Sequence, residues 1–239
     1  MTGKVAIITG GSRGIGAGLV AGYREQGWAV VASARTIKPS PDPDLLTVAG
    51  DIADPATAER LVGGALKRFG RIDTLVNNAS IYLSRAFTDY TPAEYAAVTG
   101  ISLAGLFWPT QRVIAEMATR YGGHVVSVLA AATDTADSGA PAVLAALTRG
   151  GQAAITRSLA LEYASLGIRV NAVAPGLIQT PLHWAGRCGG LGGRLPPLGQ
   201  AGQISDVVNA ILFLESSPYI TGEILHVDGG QVASLDGAV

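Results

Sequence analysis

The sequence predicts an α/β fold, in which a doubly wound, mostly parallel sheet of about seven strands carries helices on both faces. Short apolar runs rich in β-branched residues recur along the chain. They do not alternate with polar residues, which is typical of parallel strands buried on both faces. Longer stretches with helical spacing lie between most of these runs. Such alternation of strand and helix winds into a parallel sheet.

The predicted strands are short and mostly bounded by Gly, Asp or Asn. In chain order they cover Val5–Thr9, Ala29–Ala32, Leu45–Val48, Thr74–Asn77, His124–Val128, Ile168–Val173 and Ile224–Val227. The predicted helices cover Ile15–Gln26, Pro55–Phe69, Leu103–Arg120, Val143–Ser165 and Ser205–Leu214. The second of these helices has Asp54 as its N-cap and a proline at its first position, which is a typical helix start.

Two segments depart from the alternation of strand and helix. Residues 35–44 contain three prolines and cannot form the interior of a helix, so a loop is expected to join the second and third strands. Residues 176–204 are rich in glycine and contain the pair Pro196-Pro197. Long irregular segments of compact domains are often lids, and this one is expected to cover a substrate site. No linker divides the chain, which predicts a single domain over residues 1–239.

Composition excludes several classes of function. The chain has 17 basic and 18 acidic side chains, so it lacks the basic footprint of proteins that bind nucleic acid or anionic membranes. Its apolar runs are too short to span a membrane, and its opening residues do not resemble a signal peptide. One cysteine, Cys188, supports neither an internal disulfide nor a zinc site. A cytoplasmic location and no bound metal are therefore expected.

A glycine-rich turn follows the first predicted strand and opens the first predicted helix. Its sequence is Thr-Gly-Gly-Ser-Arg-Gly-Ile-Gly over residues 9–16. Glycines allow the backbone to turn tightly and to approach a pyrophosphate, and the helix N-terminus offers unpaired N–H groups to it. The strand, turn and helix stand in the order that a dinucleotide site requires.

Five ordered motifs resemble those of the short-chain dehydrogenase/reductase family, and the likeness runs nearly from end to end. They are the cofactor fingerprint at Gly10–Gly16, the adenine contact at Asp51-Ile52, the Asn-Asn-Ala-Gly motif at Asn77–Ser80 with a serine in its last place, the sixth strand and Pro-Gly turn at Arg169–Gly176, and the last strand at Thr221–Gly230. This resemblance implies a Rossmann fold and a nicotinamide dinucleotide cofactor.

The resemblance also assigns cofactor contacts to individual positions. These positions are Gly10, Ser12, Arg13, Gly14, Ile15, Gly16, Arg35, Asp51, Ile52, Asn78, Ala79, Arg149, Pro175, Gly176, Ile178 and Thr180. Charge then favours NADP(H) over NAD(H). An NAD site needs a carboxylate at the end of the second strand, where this chain has Ala34 followed by Arg35. Arg13 and Arg35 could close on a 2′-phosphate, with Lys38 as a third candidate.

The catalytic half of the family pattern is replaced. Members of the family typically carry a catalytic Asn, Ser, Tyr and Lys, and the corresponding positions here are Ser102, Ala130, Ala145 and Arg149. Alanines cannot transfer protons or hydrogen-bond through their side chains. Arg149 could still hold the nicotinamide ribose, but a guanidinium does not give up its proton. Acid–base help contributes roughly 10²- to 10⁴-fold to a rate, so ordinary ketone reduction is expected to need a replacement acid.

Three explanations of this replacement remain open. In the first, another residue near the cleft acts as the acid or contacts the substrate; the candidates are Tyr82, Asp134, Asp137, Ser138 and His183, with Trp184 beside the histidine. In the second, the substrate is a cationic iminium, which needs no protein acid. In the third, redox chemistry is lost, and the chain is a regulatory or structural NADP(H)-binding protein or catalyses an elimination or isomerisation.

The resemblance further implies a homo-oligomer, either a dimer or a tetramer. In this family the helix predicted at Val143–Ser165, which contains Glu162, belongs to the surface that pairs subunits, together with the region of the last strand. The other expected partner is a small-molecule substrate.

Overall fold

The computed structural model describes residues 3–130, 141–180 and 195–234 and contains one seven-stranded sheet. All of its strand pairs are parallel, in the order β3-β2-β1-β4-β5-β6-β7. The strands are β1 (Val5–Thr9), β2 (Ala29–Ala34), β3 (Leu45–Ala49), β4 (Thr74–Asn77), β5 (Gly123–Val128), β6 (Ile168–Pro175) and β7 (Ile224–Val227). The helices are α1 (Gly14–Glu25), α2 (Pro55–Phe69), α3 (Pro92–Thr99), α4 (Gly105–Ala118), α5 (Val143–Tyr163) and α6 (Ile204–Ser216).

The predicted doubly wound α/β fold is confirmed, with small changes at element ends and one missed helix. The bounds of β1, β4, β7 and α2 are those predicted, and Asp54 caps α2 by accepting a hydrogen bond from the Ala56 N–H. Helix α3 was not predicted because it is short and weakly amphipathic. Its start signal is nevertheless present in the sequence, since Thr91 and Glu94 form a capping box around Pro92. A π-helical turn over residues 100–104 then leads into α4.

Both faces of the sheet are buried, as the absence of alternation predicts. In β1, Val5 and Ile7 pack into one core with side chains from α2 and α4, whereas Ala6 and Ile8 pack into a second core with side chains from α1 and α6. Every residue of β1 is buried. Successive side chains of a strand point to opposite faces, so each strand serves two cores and has no polar side to present to water.

Contacts with neighbouring elements hold the loop between β2 and β3 and the two flanks of the predicted lid in place. A loop joins β2 to β3, as predicted, and Arg24 Nε of α1 anchors it by an ion pair of 2.9 Å to Asp42 Oδ2. The flanks of the predicted lid lie side by side, because the Gln179 N–H donates to the Gly202 carbonyl at 2.8 Å and the Gly202 N–H donates to the Leu177 carbonyl at 2.9 Å. Residues 181–194 between these flanks lie outside the described residues.

A buried polar network lies near the amino ends of β4 and β5, on the side of the sheet away from the glycine turn. One oxygen of Glu215 on α6, Oε2, accepts hydrogen bonds from Thr74 Oγ1 at 2.7 Å and Tyr23 Oη at 3.3 Å, and lies 3.0 Å from His124 Nδ1. Asn171 Nδ2 lies 3.1 Å from His124 Nε2. The network therefore joins strands of the central sheet to both helices of one core.

The amide of Asn171 fixes the tautomer of His124. Its Oδ1 accepts from the Glu223 backbone N–H at 3.0 Å, so its Nδ2 must be the atom that donates to His124 Nε2. The proton of a neutral imidazole then lies on Nδ1 and is donated to Glu215. Burial lowers the pKa of His124, consistent with a neutral ring. Burial alone would raise the pKa of Glu215, but the interactions with His124 and Thr74 outweigh it and lower that pKa.

Among the helices of residues 3–130, 141–180 and 195–234, none is both long and apolar enough to cross a membrane. The same residues contain no group of three or more His, Cys, Asp or Glu side chains that could hold a metal ion.

Candidate functional site

A cleft of about 830 Å³ runs across the carboxyl ends of the central strands. Ligands of doubly wound sheets bind at this edge, where the chain connections diverge. Every position to which the sequence assigned a cofactor contact lines this one cleft: Gly10, Ser12, Arg13, Gly14, Ile15, Gly16, Arg35, Asp51, Ile52, Asn78, Ala79, Arg149, Pro175, Gly176, Ile178 and Thr180.

The glycine turn forms a compact floor under one half of the cleft. Gly10 and Gly14 have φ angles of 70° and 56°, in the left-handed region that favours glycine. A Cβ at Gly16 would collide with the Gly10 carbonyl oxygen. Helix α1 begins at Gly14, and its N-cap residue Arg13 makes no capping hydrogen bond through its side chain. The first N–H groups of α1 therefore face the cleft as a cradle of the size and charge that suit a pyrophosphate.

Asn78 fixes the position of this turn relative to β4. Its Nδ2 donates to the Thr9 carbonyl at 2.9 Å and to the Gly10 carbonyl at 3.3 Å. In return, Thr9 Oγ1 accepts from the backbone N–H groups of Asn78 and Ala79, each at 3.0 Å. Two neighbouring walls of the cleft are thus tied together by four hydrogen bonds.

The end of the cleft beside β2 carries two cations. Ala34 is the last residue of β2, and Arg35 follows it into the cleft wall. Arg13 stands in the glycine turn, and both arginines are exposed. Neither forms an ion pair with any residue in the described part of the chain. Lys38, the third candidate for a phosphate contact, is exposed but does not line the cleft.

The opposite half of the cleft contains two of the four positions to which the resemblance assigns catalytic groups. Ala130 at the end of β5 and Arg149 on α5 line the cleft together with Tyr82, which follows β4. Ala145 precedes Arg149 by one turn of α5. Ser102 is buried in the π-helical turn, where its carbonyl oxygen accepts from Gln152 Nε2 at 2.7 Å, and it does not line the cleft. The structure thus brings Tyr82 and Arg149 to the cleft but not Ser102.

Arg149 is a partly buried cation at the β4–β6 end of the cleft. Burial lowers its pKa, and the electrostatic interaction with Tyr82 partly offsets that effect. A guanidinium remains protonated in proteins, so this half of the cleft keeps a positive charge.

Several residues named as candidate acids or substrate contacts lie outside the described residues. They are Asp134, Asp137 and Ser138 after β5, and His183 and Trp184 in the predicted lid, as well as the single cysteine Cys188.

Gln231 is a cleft residue that sequence reasoning missed. It follows a tight turn in which the Asp228 carboxylate accepts from the backbone N–H groups of Gly230 at 2.9 Å and Val232 at 2.8 Å. Its Oε1 is buried and has no hydrogen-bond partner among the residues that the structure describes. Its place directly after the last strand was the available signal, because residues at the carboxyl ends of parallel strands meet at the ligand edge.

Comparison with known protein families agrees with this architecture. A family model described as enoyl-(acyl carrier protein) reductase matches residues 10–231. The granaticin polyketide synthase putative ketoacyl reductase 2 of Streptomyces violaceoruber is 35% identical over 242 residues, covering 95% of both chains. The 3-oxoacyl-[acyl-carrier-protein] reductase FabG of Escherichia coli (strain K12) is 33% identical over 239 residues, covering 96% of this chain and 97% of the relative.

Solved structures show the same fold with nicotinamide dinucleotides bound. ElxO with NADP bound superposes with a TM-score of 0.88 at 26% identity, covering 98% of this chain and all of that one. The 3-ketoacyl-(acyl-carrier-protein) reductase from Brucella melitensis complexed with NADH superposes with a TM-score of 0.86 at 29% identity, covering 96% of this chain and 98% of that one.

Proposed function

The chain belongs to the short-chain dehydrogenase/reductase family of oxidoreductases, and we propose that it transfers hydride between NADP(H) and a small carbonyl, imine or iminium substrate by a nonstandard proton route. The observation that carries this proposal is the cleft, which collects every position assigned a cofactor contact into one space of about 830 Å³.

The residues of the cleft fit a nicotinamide dinucleotide. The turn leaves no room for a Cβ at Gly10 or Gly16, holds Gly14 at a positive φ, and directs the start of α1 at the position expected for a pyrophosphate. Asp51 and Ile52 would contact the adenine, and Ile178 and Thr180 the carboxamide. Bound there, the cofactor supplies a hydride equivalent that forms a C–H bond at the substrate carbon, while the carbonyl oxygen takes up a proton.

The preference for NADP(H) over NAD(H) rests on charge at the end of β2. Ala34 provides no carboxylate to bind a ribose 2′-hydroxyl or to repel a 2′-phosphate. Arg13 and Arg35 line the same end of the cleft, without ion pairs in the described part of the chain. Two guanidinium groups without carboxylate partners form a suitable site for one phosphate.

Tyr82 is our candidate for the group that handles the proton. It lines the cleft beside β4 and interacts electrostatically with Arg149, a positive charge that would stabilise the phenolate left after proton donation. Arg149 would hold the nicotinamide ribose, as the family's lysine does. An iminium substrate would need no such acid, because it already carries the charge that protonation creates.

A second candidate function is binding of NADP(H) without redox chemistry, in a regulatory or structural role. The specific observation behind it is that Ala130 and Ala145 stand at two catalytic positions of the family and that Ser102 does not reach the cleft. Dinucleotide binding is common to both candidates, so transfer of hydride is the property that separates them.

Isotope transfer tests the redox proposal. The protein is incubated with NADPH carrying deuterium at nicotinamide C4 and with panels of aldehydes, ketones and cyclic imines, and products are examined by mass spectrometry. Appearance of deuterium at the reduced carbon supports an oxidoreductase and excludes the non-redox candidate. NADPH binding without deuterium transfer to any member of the panels would favour the second candidate. Gly16→Val serves as the control, because a Cβ at this position would collide with the Gly10 carbonyl oxygen and displace the glycine turn.

We also propose that the protein is a homo-oligomer, a dimer or a tetramer. Helices α4 and α5 expose large apolar side chains, with 44% of Phe107, 51% of Leu147 and 84% of Leu161 accessible. Phe107 also lines an apolar groove of about 320 Å³ to which both helices contribute. Exposed apolar surface of this kind is typical of subunit contacts. Analytical ultracentrifugation should give a dimer or tetramer, and Leu161→Glu should shift it toward the monomer; a monomeric wild-type protein at micromolar concentration would contradict the proposal.

The expectation of a cytoplasmic location also stays a proposal. It rests on the single cysteine among 239 residues, which suits a reducing compartment. Fractionation of the source cells would test it.

A further inference from the structure

The charged groups of the cleft are unevenly distributed. Among the described residues that line it, four carry charge: Arg13, Arg35, Asp51 and Arg149. The first three belong to the half built on β1, β2 and β3, where the adenosine end of a dinucleotide would lie. Arg149 is the one charged side chain of these four in the half built on β4, β5 and β6. Among the described residues, a substrate placed in that half therefore meets a single positive charge.

The described surroundings of Arg149 do not neutralise it. The ion pairs of the described residues involve Arg24, Arg71, Arg85, Arg112 and His124. Tyr82 lines the same half of the cleft and raises the pKa of Arg149 against the effect of burial, but a phenol is ordinarily uncharged near pH 7. The guanidinium is partly buried, and this burial lowers the pKa of Arg149. Since no described residue pairs with this cation, an anionic ligand would stabilise it.

The residues around Arg149 are small or apolar where the family has hydroxyl groups. Ala145 lies one turn before Arg149 on the same side of α5. Ala130, which follows β5, lines the cleft. Neither can hydrogen-bond a substrate oxygen through its side chain. The guanidinium offers five N–H donors in a planar fork, and the ribose hydroxyls of a dinucleotide would use only part of them.

We propose that this half of the cleft binds a carbonyl substrate that carries a carboxylate, and that the Arg149 guanidinium binds the carboxylate through paired hydrogen bonds. A planar fork matches the two oxygens of a carboxylate, and a charged pair of this kind is stronger than a neutral hydrogen bond. A cationic iminium would be repelled by the same group. The inference rests on the proposed function, since the substrate would lie against a bound nicotinamide.

In the direction of reduction such a substrate is a 2-oxo acid or a close relative. Hydride from NADPH forms the new C–H bond at the carbonyl carbon as the C=O π bond breaks, and the oxygen takes one proton, from Tyr82 or from water. The products are the hydroxy acid and NADP⁺. Arg149 keeps its proton throughout and acts as a binding group.

Oxamate, a carboxylate that resembles a 2-oxo acid and is not reduced, provides the test. NADPH binding is first measured by calorimetry, and oxamate is then titrated into the NADPH-saturated protein. We expect saturable binding of oxamate to the wild-type protein. The uncharged methyl ester of oxamate should bind the wild type at least tenfold more weakly, and oxamate should bind Arg149→Met at least tenfold more weakly, as loss of a charge-assisted hydrogen bond predicts. Arg157→Met, which removes an exposed arginine from the same helix, should leave oxamate binding unchanged.

Two kinds of failure are distinguishable. If NADPH itself does not bind, the proposed function fails. If NADPH binds but oxamate does not, the assignment of an anionic substrate is wrong while the proposed function stands. The same conclusion follows if the wild type binds the ester as tightly as oxamate, or if Arg149→Met binds oxamate as tightly as the wild type does. The comparison of oxamate with its ester uses only the wild-type protein, so it decides the matter even if Arg149→Met fails to fold.

Discussion

The two ends of the sheet differ in whether their buried polar groups have partners among the described residues. Near the amino ends, Glu215, His124 and Asn171 form a network in which donors and acceptors match. At the carboxyl ends, Gln231 Oε1 is buried without a hydrogen-bond partner, and Arg149 has no carboxylate partner, within the described part of the chain. Unsatisfied buried groups cost free energy, so the described residues of the carboxyl end leave polar groups for a ligand to bind, whereas those of the amino end satisfy one another.

This difference separates residues that stabilise the fold from residues that serve binding. A change in the network at the amino end should lower the free energy of unfolding and leave ligand affinity nearly unchanged in the folded protein. A change in the cleft should have the opposite effect. The predictions that follow test this separation, beginning with the largest expected effect.

Glu215→Leu should lower the free energy of unfolding by about 3 kcal/mol or more. The substitution leaves the buried donors of Thr74, Tyr23 and His124 without an acceptor, and hydrogen bonds to a charged group contribute roughly 1.5–3 kcal/mol each. Urea denaturation followed by circular dichroism measures the change. Glu25→Ala, at an exposed position of α1, is the control and should stay within about 0.5 kcal/mol of the wild type. A loss in Glu215→Leu no larger than in this control would contradict a structural role for the network.

Arg35→Met and Arg13→Met should each weaken NADP⁺ binding by about tenfold, and neither should change NAD⁺ binding appreciably. The expected loss corresponds to roughly 1.5 kcal/mol for one hydrogen bond to a charged phosphate. Fluorescence or calorimetric titration of both dinucleotides measures it. Lys38→Met should leave both affinities unchanged, because Lys38 does not line the cleft. Equal losses for NAD⁺ and NADP⁺ would show that the arginines do not contact a 2′-phosphate.

Acidification should destabilise the protein through His124. Burial lowers the folded-state pKa of this ring below the unfolded value of about 6.5, so the unfolded chain takes up the proton first. The associated stability is present above about pH 6.5 and is lost as the pH falls below it. Between about pH 7.5 and 5.5 the loss should be about 1 kcal/mol.

Urea midpoints at the two pH values measure this loss. His124→Gln should reduce the pH dependence, whereas His226→Asn, at an exposed position of β7, should retain it. A wild-type protein whose midpoint does not fall on acidification would show that His124 is not held neutral.

The sequence was sufficient to predict most of the fold because its signals are local. Strands such as β1 are apolar on both faces, and α2 carries its own cap and first-turn proline, so each element can be recognised without its neighbours. Helix α3 was missed because eight residues with little amphipathic character resemble a loop, despite the capping box at Thr91. The positions assigned to cofactor contacts could also be recognised from the sequence, since the glycine turn among them is one continuous motif.

The catalytic half could not be predicted in the same way, because its geometry depends on contacts between distant segments. Sequence position alone suggested Ser102, but the turn that contains it packs inward against Gln152 of α5. Gln231 lines the cleft because the Asp228 carboxylate holds the turn after β7 through hydrogen bonds from the backbone N–H groups on either side of Gln231. Tyr82 and Arg149 likewise come from separate parts of the chain, after β4 and on α5, and meet only as residues that line the cleft.

Calorimetric titration of the protein with NADP⁺ and NAD⁺ tests most directly the claim that the carboxyl end of the sheet is a dinucleotide site completed by its ligand. We expect saturable binding of one NADP⁺ per chain, at least tenfold tighter than NAD⁺, and no binding to Gly16→Val, whose Cβ would collide with the Gly10 carbonyl and displace the glycine turn. Absence of binding by the wild-type protein at millimolar NADP⁺, or equal affinity of wild type and Gly16→Val, would contradict the claim.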